Sequence, residues 1–361
     1  MKTKRLYFFI GTTTELIKLS PIIRELEKRK INFKIITSGQ TKVKFEELAF
    51  IMKKKKADIE LGEKTNKSSI LFFAIWALST LSKTFKLSKE FRKSKNEEIY
   101  LIVHGDPVSS LIGAIIAKAN GIKLVHIESG LRSFNFLEPF PEEICRFIIS
   151  KLADFHFCPN KWSLRNLAIE KGKKINTYEN SMLDSFLSVP YKKQTLAKKK
   201  YFILIVHRQE HVIFRKERSI NLIKTIFENM DKNMTCVFIC HATTRNFLES
   251  ANMAIPNEIK KRVKFVPRLS YVDFVNLLRR SEFLITDGGS NQEEAYYLGL
   301  PCLLLRKYTE RIEGLGKNVV LSKEKESVIS DFMKNYKKNK SPKIKPKRSP
   351  SKIIVDYLSK A

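Results

Sequence analysis

Leu6-Tyr7-Phe8-Phe9-Ile10, then Gly11, then the helical stretch Thr14–Arg29, then Phe33-Lys34-Ile35-Ile36-Thr37 decide the fold of this chain. Five apolar residues in a row, ended by glycine, read as a strand buried on both faces. Apolar side chains at Leu16, Ile17, Leu19, Ile22, Ile23 and Leu26 then keep the period of a helix. A second apolar run follows. Strand, helix, strand with continuous apolar strands means a parallel sheet covered on both faces.

The alternation continues through Ile99–Val103, Leu124–Ile127 and Phe155–Cys158. The stretch Ser188–Lys200, with Pro190 and the lysines Lys192, Lys193, Lys198, Lys199 and Lys200, interrupts it. A second series comprises Phe202–Val206, Cys236–Cys240, Val263–Val266, Phe283–Thr286 and Cys302–Leu305. We therefore expect an α/β protein of two Rossmann-like, doubly wound domains facing a cleft. The expected bounds are 1–190 and 191–340, with a basic connector and terminal helix over 341–361. The connector reading rests on nine basic residues between Lys334 and Lys352, interspersed with Pro342, Pro346 and Pro350.

Composition narrows the function classes. The 361 residues are 43% hydrophobic and 29% charged, which suits a globular protein, but 68 Lys+Arg against 37 Asp+Glu give +31. The cations are scattered and no nucleic-acid motif accompanies them, so we read no nucleic-acid partner; a negatively charged substrate fits the same balance. Cys145, Cys158, Cys236, Cys240 and Cys302 are odd in number and form no Cys-x-x-Cys, which points to reduced thiols in a cytoplasmic protein. The apolar run Ile70–Leu81 is shorter than the ~20 residues a bilayer span needs, so no integral membrane segment is expected.

Chemistry concentrates after the strands. His104-Gly105-Asp106, His126-Ile127-Glu128 and Pro141-Glu142-Glu143-Ile144-Cys145-Arg146 put Asp106, Glu128, Glu142 and Arg146 at strand ends or a helix start. In an open parallel sheet those positions form the lip of a ligand site. Several acids there suit proton transfer at carbon, which needs a base and an acid. Thr286-Asp287-Gly288-Gly289-Ser290, leading to Glu294, opens a helix whose N-terminus suits a nucleotide diphosphate. His207-Arg208-Gln209-Glu210-His211 superficially matches a zinc-protease pattern, but it leaves a strand rather than lying on a helix. We read no metal, and take His207 as a strand-end histidine beside Arg208.

These residues resemble the non-hydrolysing UDP-N-acetylglucosamine 2-epimerases over most of the chain. The likeness is carried by Gly11–Lys18, Ser38-Gly39-Gln40, His104–Asp106, His126–Ser133, Pro139–Arg146, His207-Arg208, Thr286–Ala295, and Leu305-Arg306 with Thr309-Glu310-Arg311. It implies a GT-B type fold, a UDP-sugar substrate, a homodimer and no cofactor. It also implies UDP near Phe274, Gly288, Gly289, Ser290 and Glu294, and the sugar near Lys18, Asp106, Glu128, Glu142, Arg146 and His207, with Gln40 and Arg208 as further substrate-binding residues. Elimination of UDP would give a 2-acetamidoglucal, and re-addition would give the C2 epimer. We take Asp106 as the base. Related readings are a UDP-2,3-diacetamido-glucuronate 2-epimerase, a hydrolysing epimerase, a glycosyltransferase of the same architecture and a nucleotide-sugar sensor.

The chain also departs from the family pattern. Thr13 and Thr14 stand in place of Arg-Pro, Thr41 in place of histidine, and His211 in place of asparagine. The glycine loop reads Asp-Gly-Gly-Ser rather than Asp-Ser-Gly-Gly. Losing the arginine removes a charge-assisted contact of about 1.5–3 kcal/mol.

Overall fold

In a computed structural model of the chain, the apolar runs are strands of two all-parallel sheets, central in every case but Val263–Val266, which lies at an edge. The structure describes residues 3–62, 76, 79, 80, 82, 83, 87–92, 94, 96–193, 199–208, 210–250 and 256–360. Most of Ile70–Leu81 and part of Ser188–Lys200 lie outside the described residues. Two compact units emerge: Met1–Ser188 with Lys347–Ala361, and Val189–Pro346.

The first unit holds β1 (Thr3–Ile10), α1 (Thr13–Lys28), β2 (Phe33–Thr37), β3 (Ile59–Glu60), β4 (Glu97–His104), α2 (Val108–Ala119) and β5 (Lys123–Ile127). It continues with α3 (Glu142–Leu152), β6 (Phe155–Cys158), α4 (Lys161–Asn166), β7 (Lys173–Asn176) and α5 (Met182–Ser188). Its sheet order is β3-β2-β1-β4-β5-β6-β7, so the winding reverses between β1 and β4. Phe9, Leu101, Val103, Ile112, Leu124 and Ile149 belong to the fully buried core between sheet and helices.

Pro21 stands inside α1 and cannot donate to the carbonyl of Ile17. That carbonyl instead accepts from the hydroxyls of Ser20, at 2.8 Å, and Ser185 on α5, at 2.5 Å. The defect in one helix thus becomes its attachment to another.

The second unit holds β8 (Tyr201–Ile205), α6 (Lys216–Glu228), β9 (Thr235–Cys240), α7 (Ala242–Ser250), α8 (Asn257–Lys260), β10 (Val263–Pro267) and α9 (Tyr271–Leu278). After these come β11 (Leu284–Thr286), α10 (Gly289–Leu298), β12 (Cys302–Leu304), β13 (Val319–Leu321) and α11 (Glu326–Asn335). The order β10-β9-β8-β11-β12-β13 reverses between β8 and β11. Phe202 and Phe283 stack in its core with centroids 4.7 Å apart.

Beyond α11 the basic connector runs to α12 (Pro350–Lys360), which belongs to the first unit. There α12 packs along α1: Arg29 pairs with Asp356 at 2.6 Å, and the Lys4 ammonium donates to the carbonyl of Leu358 at 3.0 Å. All five cysteines are buried and unbridged. Among the described residues no helix is long and apolar enough to cross a membrane.

Candidate active site

Both sheets place their polar residues where the winding reverses, at the carboxyl ends of the strands, the usual ligand position in open α/β sheets. In the first unit these ends are Ile10-Gly11-Thr12 after β1 and His104-Gly105-Asp106 after β4, with Glu128 after the neighbouring β5. Gly105 has φ +64°, and a side chain there would approach Glu128 Oε1 to 3.2 Å. Glu128 itself is held at φ +63°, a conformation unusual for any residue but glycine or asparagine.

Glu128 is buried, and its Oε2 lies 2.5 Å from the Lys18 ammonium, which rises from the second turn of α1. The same oxygen accepts from the amide of Asn180, beyond β7. Asp106 pairs with Arg146 and is the more open carboxylate, with 22% of its side chain exposed. Arg146 also donates to Glu143 at 3.1 Å. Glu143 is fully buried, and it takes Arg132 at 2.6 Å and the backbone N–H groups of Ser133 and Phe134. Glu142, in the first turn of α3, is half-buried. Gln40 accepts from the backbone N–H of Ser109 on α2 at 2.9 Å.

Three participants were not singled out in the sequence. Glu143 and Asn180 are two of them. The third is Glu15, whose Oε2 accepts from the N–H of Gly11 and the hydroxyl of Thr12, each at 3.0 Å. The Thr12 oxygen in turn caps the N–H of Glu15, so the Thr-x-x-Glu spacing of a capping box was the available signal. Burial, only partly opposed by these hydrogen bonds, lifts the Glu15 carboxyl to about 7. His126, buried with Nε2 2.8 Å from the carbonyl of Gly105, is lowered by burial to about 4 and is neutral at pH 7.

In the second unit Asp287, fully buried at the end of β11, organises the end of β8. Its Oδ2 accepts from the backbone N–H groups of His207, at 2.8 Å, and Arg208, at 2.9 Å. The Arg208 side chain donates back to the carbonyl of Asp287 at 2.9 Å. His211 Nδ1 reaches Oδ2 at 3.0 Å, and His207 Nδ1 lies 2.9 Å from Oδ1. The two histidines therefore turn to the two oxygens of one carboxylate. His207 also stacks on His241, with centroids 4.9 Å apart and planes 20° from parallel.

Next to this cluster α10 opens with Gly288 and Gly289. A side chain at Gly289 would meet Glu310 Oε1 at 2.8 Å and Arg311 Nε at 2.9 Å, and both of those residues are buried. Glycine at this helix start lets those two side chains pack against the backbone. Ser290 is half-buried, and Glu294 is buried with Oε2 accepting from Asn291 at 2.9 Å. Tyr271, at the start of α9, hydrogen-bonds Glu294; burial first, then the charge of Glu294, pushes its hydroxyl well above the ordinary range. Phe274 is buried on the same helix. The predicted residues are thus divided between the units: Lys18, Gln40, Asp106, Glu128, Glu142 and Arg146 in the first, and His207, Arg208, Phe274, Gly288, Gly289, Ser290 and Glu294 in the second.

Known proteins share both sequence and fold. The UDP-N-acetylglucosamine 2-epimerase family model matches residues 24–351. The UDP-N-acetylglucosamine 2-epimerase of Methanocaldococcus jannaschii is 32% identical, with 93% of each chain covered. Its crystal structure in complex with UDP-GlcNAc and UDP superposes with a TM-score of 0.80 at 28% identity, covering 99% of this chain and 100% of that one. The Neisseria meningitidis UDP-GlcNAc 2-epimerase, bound to UDP-GlcNAc, gives a TM-score of 0.81 at 26% identity, with 99% and 100% covered. On sequence and fold together, this chain belongs to the UDP-N-acetylglucosamine 2-epimerase family.

Proposed function

We propose that the chain inverts C2 of a UDP-2-acetamido sugar, converting UDP-N-acetylglucosamine to UDP-N-acetylmannosamine. The observation that carries this reading is the buried set of carboxylate–cation pairs at the first unit's strand ends. Lys18–Glu128, Arg146–Asp106 and Arg146–Glu143 hold several carboxyl groups in fixed positions, which proton transfer at carbon requires.

Asp106 is the more open of these carboxylates and takes the C2 proton. The C2–H electron pair becomes the C1=C2 bond of a 2-acetamidoglucal, while the C1–O bond breaks and its electrons leave with UDP. UDP then re-adds at C1, and a proton reaches C2 from the opposite face, with Glu128 and Glu142 in that return or in positioning. Arg146, Lys18 and His207 offset the charge on the departing diphosphate. In the second unit Gly288, Gly289, Ser290 and Arg208 face the phosphates, Glu294 the ribose and Phe274 the base, and Gln40 in the first unit completes the substrate contacts. No group beyond the substrate and these side chains enters the scheme.

Incubation with UDP-N-acetylglucosamine in deuterated water tests it. Deuterium at C2 and the appearance of the manno epimer are expected. Absence of exchange across a panel of UDP-2-acetamido sugars, including UDP-2,3-diacetamido-glucuronate, overturns it. Release of free N-acetylmannosamine would show a hydrolysing enzyme instead, and turnover only with an added acceptor would show a glycosyltransferase. The family likeness also supports a homodimer, which light scattering on the purified chain checks.

A further inference from the structure

Two of the chain's departures from its family flank one buried carboxylate. His211 and Gly288 stand on either side of Asp287, and a side chain at Gly288 would come within 3.1 Å of His207 Cε1. Asp287 is shared by two imidazoles, but unequally. His211 Nδ1 makes a hydrogen bond to Oδ2 at 3.0 Å. His207 Nδ1 lies 2.9 Å from Oδ1, outside hydrogen-bond geometry.

On its far side, His211 Nε2 lies 3.5 Å from Glu324 Oε1. Glu324 in turn faces Arg215 at 3.4 Å and Lys307 at 3.9 Å. The line of charge therefore runs Arg215 and Lys307, Glu324, His211, Asp287, His207. Its middle three members are almost completely buried, so their charges interact with little screening. His241 stacked on His207, with Arg268 near His241, completes the titratable and charged surroundings.

We propose that His211 is a positioning residue that sets the charge His207 experiences: as an imidazolium between Asp287 and Glu324, it neutralises the carboxylate that His207 also faces. A histidine beside a lone buried carboxylate holds its proton tightly. Here the carboxylate is already paired with His211, so His207 does not face its full charge. The state of His211 agrees: burial opposes its charge, but Asp287 and Glu324 overcome burial and raise it to about 9. An asparagine in its place would keep a donor to Asp287 and lose the charge. The proposal rests on His207 taking part in the reaction, yet its test reads His207 directly.

The experiment follows the ¹⁵N imidazole signals of the full chain against pH, with the His207 signal assigned through His207→Asn. His211→Asn should move the His207 titration to higher pH by about one unit, roughly tenfold in proton affinity. Glu324→Gln, which removes a negative charge from the same line and leaves His211 on Asp287, should move it to lower pH by less. The pH limb of C2 exchange that follows His207 should shift in parallel. A His207 titration unmoved in both variants overturns the proposal, and if His211→Asn loses its fold, Glu324→Gln decides alone. A moved His207 titration in a protein without C2 exchange would leave the coupling standing and sink the epimerase reading instead.

Discussion

The ammonium of Lys18 lies 2.5 Å from Glu128 Oε2, and both side chains are removed from solvent. Removing either partner strands a charge in the interior, which costs about 3–5 kcal/mol, whereas removing both costs less. Lys18→Met and Glu128→Leu should therefore each lower the urea midpoint sharply, and the double variant should recover part of the loss. Additive single effects would show that the pair is not coupled.

Glu143 anchors Arg132, Arg146 and the chain at Ser133 and Phe134. Glu143→Gln loses the charge that holds both guanidinium groups, so Arg146 no longer presents itself squarely to Asp106. Deuterium exchange at C2 should fall about 10²-fold, or about 2.7 kcal/mol of barrier, with the far-ultraviolet spectrum retained.

Glu15 is buried among hydroxyls and N–H groups, and its carboxyl is raised to about 7. A carboxyl raised in the folded state binds its proton more tightly there than when unfolded. Its stabilising contribution is thus complete below about 4.5 and is lost as pH rises through about 7. Glu15→Gln should flatten that fall and exceed the wild type by about 3 kcal/mol at pH 8. Urea unfolding at pH 5 and pH 8 measures the difference.

His211 runs the other way along the same axis. Its imidazole is raised to about 9, so the stability it contributes is fully present below about 6.5 and disappears as pH climbs through 9. Melting curves of the wild type should drop between pH 7 and 10. Those of His211→Asn should start lower and stay nearly level.

Gly289 has no room for a methyl group against Glu310 and Arg311, which are buried side chains in ion pairs. Gly289→Ala should displace the start of α10, cost about 1–3 kcal/mol of stability and weaken UDP at least tenfold by calorimetry. Unchanged UDP affinity would remove the helix start from the binding site.

The central strands were legible because parallel strands buried on both faces leave uninterrupted apolar runs, as Leu6–Ile10 and Phe202–Val206 do. Of the edge strands, Val263–Val266 (β10) was legible, and β3, β7 and β13 were not. Lys173-Lys174-Ile175-Asn176, for example, is polar and at best half-buried, and resembles a loop. Asn180 was missed with it, because its importance depends on the strand just before it. Asp106, Glu128 and Arg146 could be picked out from their positions at strand ends and on a helix. Their pairings, across 40 and 110 residues of chain, could not. Glu324 shows the same gap most sharply. In the run Lys323-Glu324-Lys325-Glu326 it looks solvated, yet it is 4% exposed and partners a histidine 113 positions earlier.

The first unit is assembled from two separate lengths of chain, with all of Val189–Pro346 encoded between them. A ribosome working at about 5–20 residues per second delivers α12 to α1 roughly ten to thirty seconds after α5 has emerged. Throughout that interval the apolar side of α1 that α12 will cover is open on the nascent polypeptide, and by its end the second unit has every residue its own sheet requires. Completion of the earlier-made half therefore waits until the later-made half has been synthesised, and a chaperone that shields α1 would act in that window.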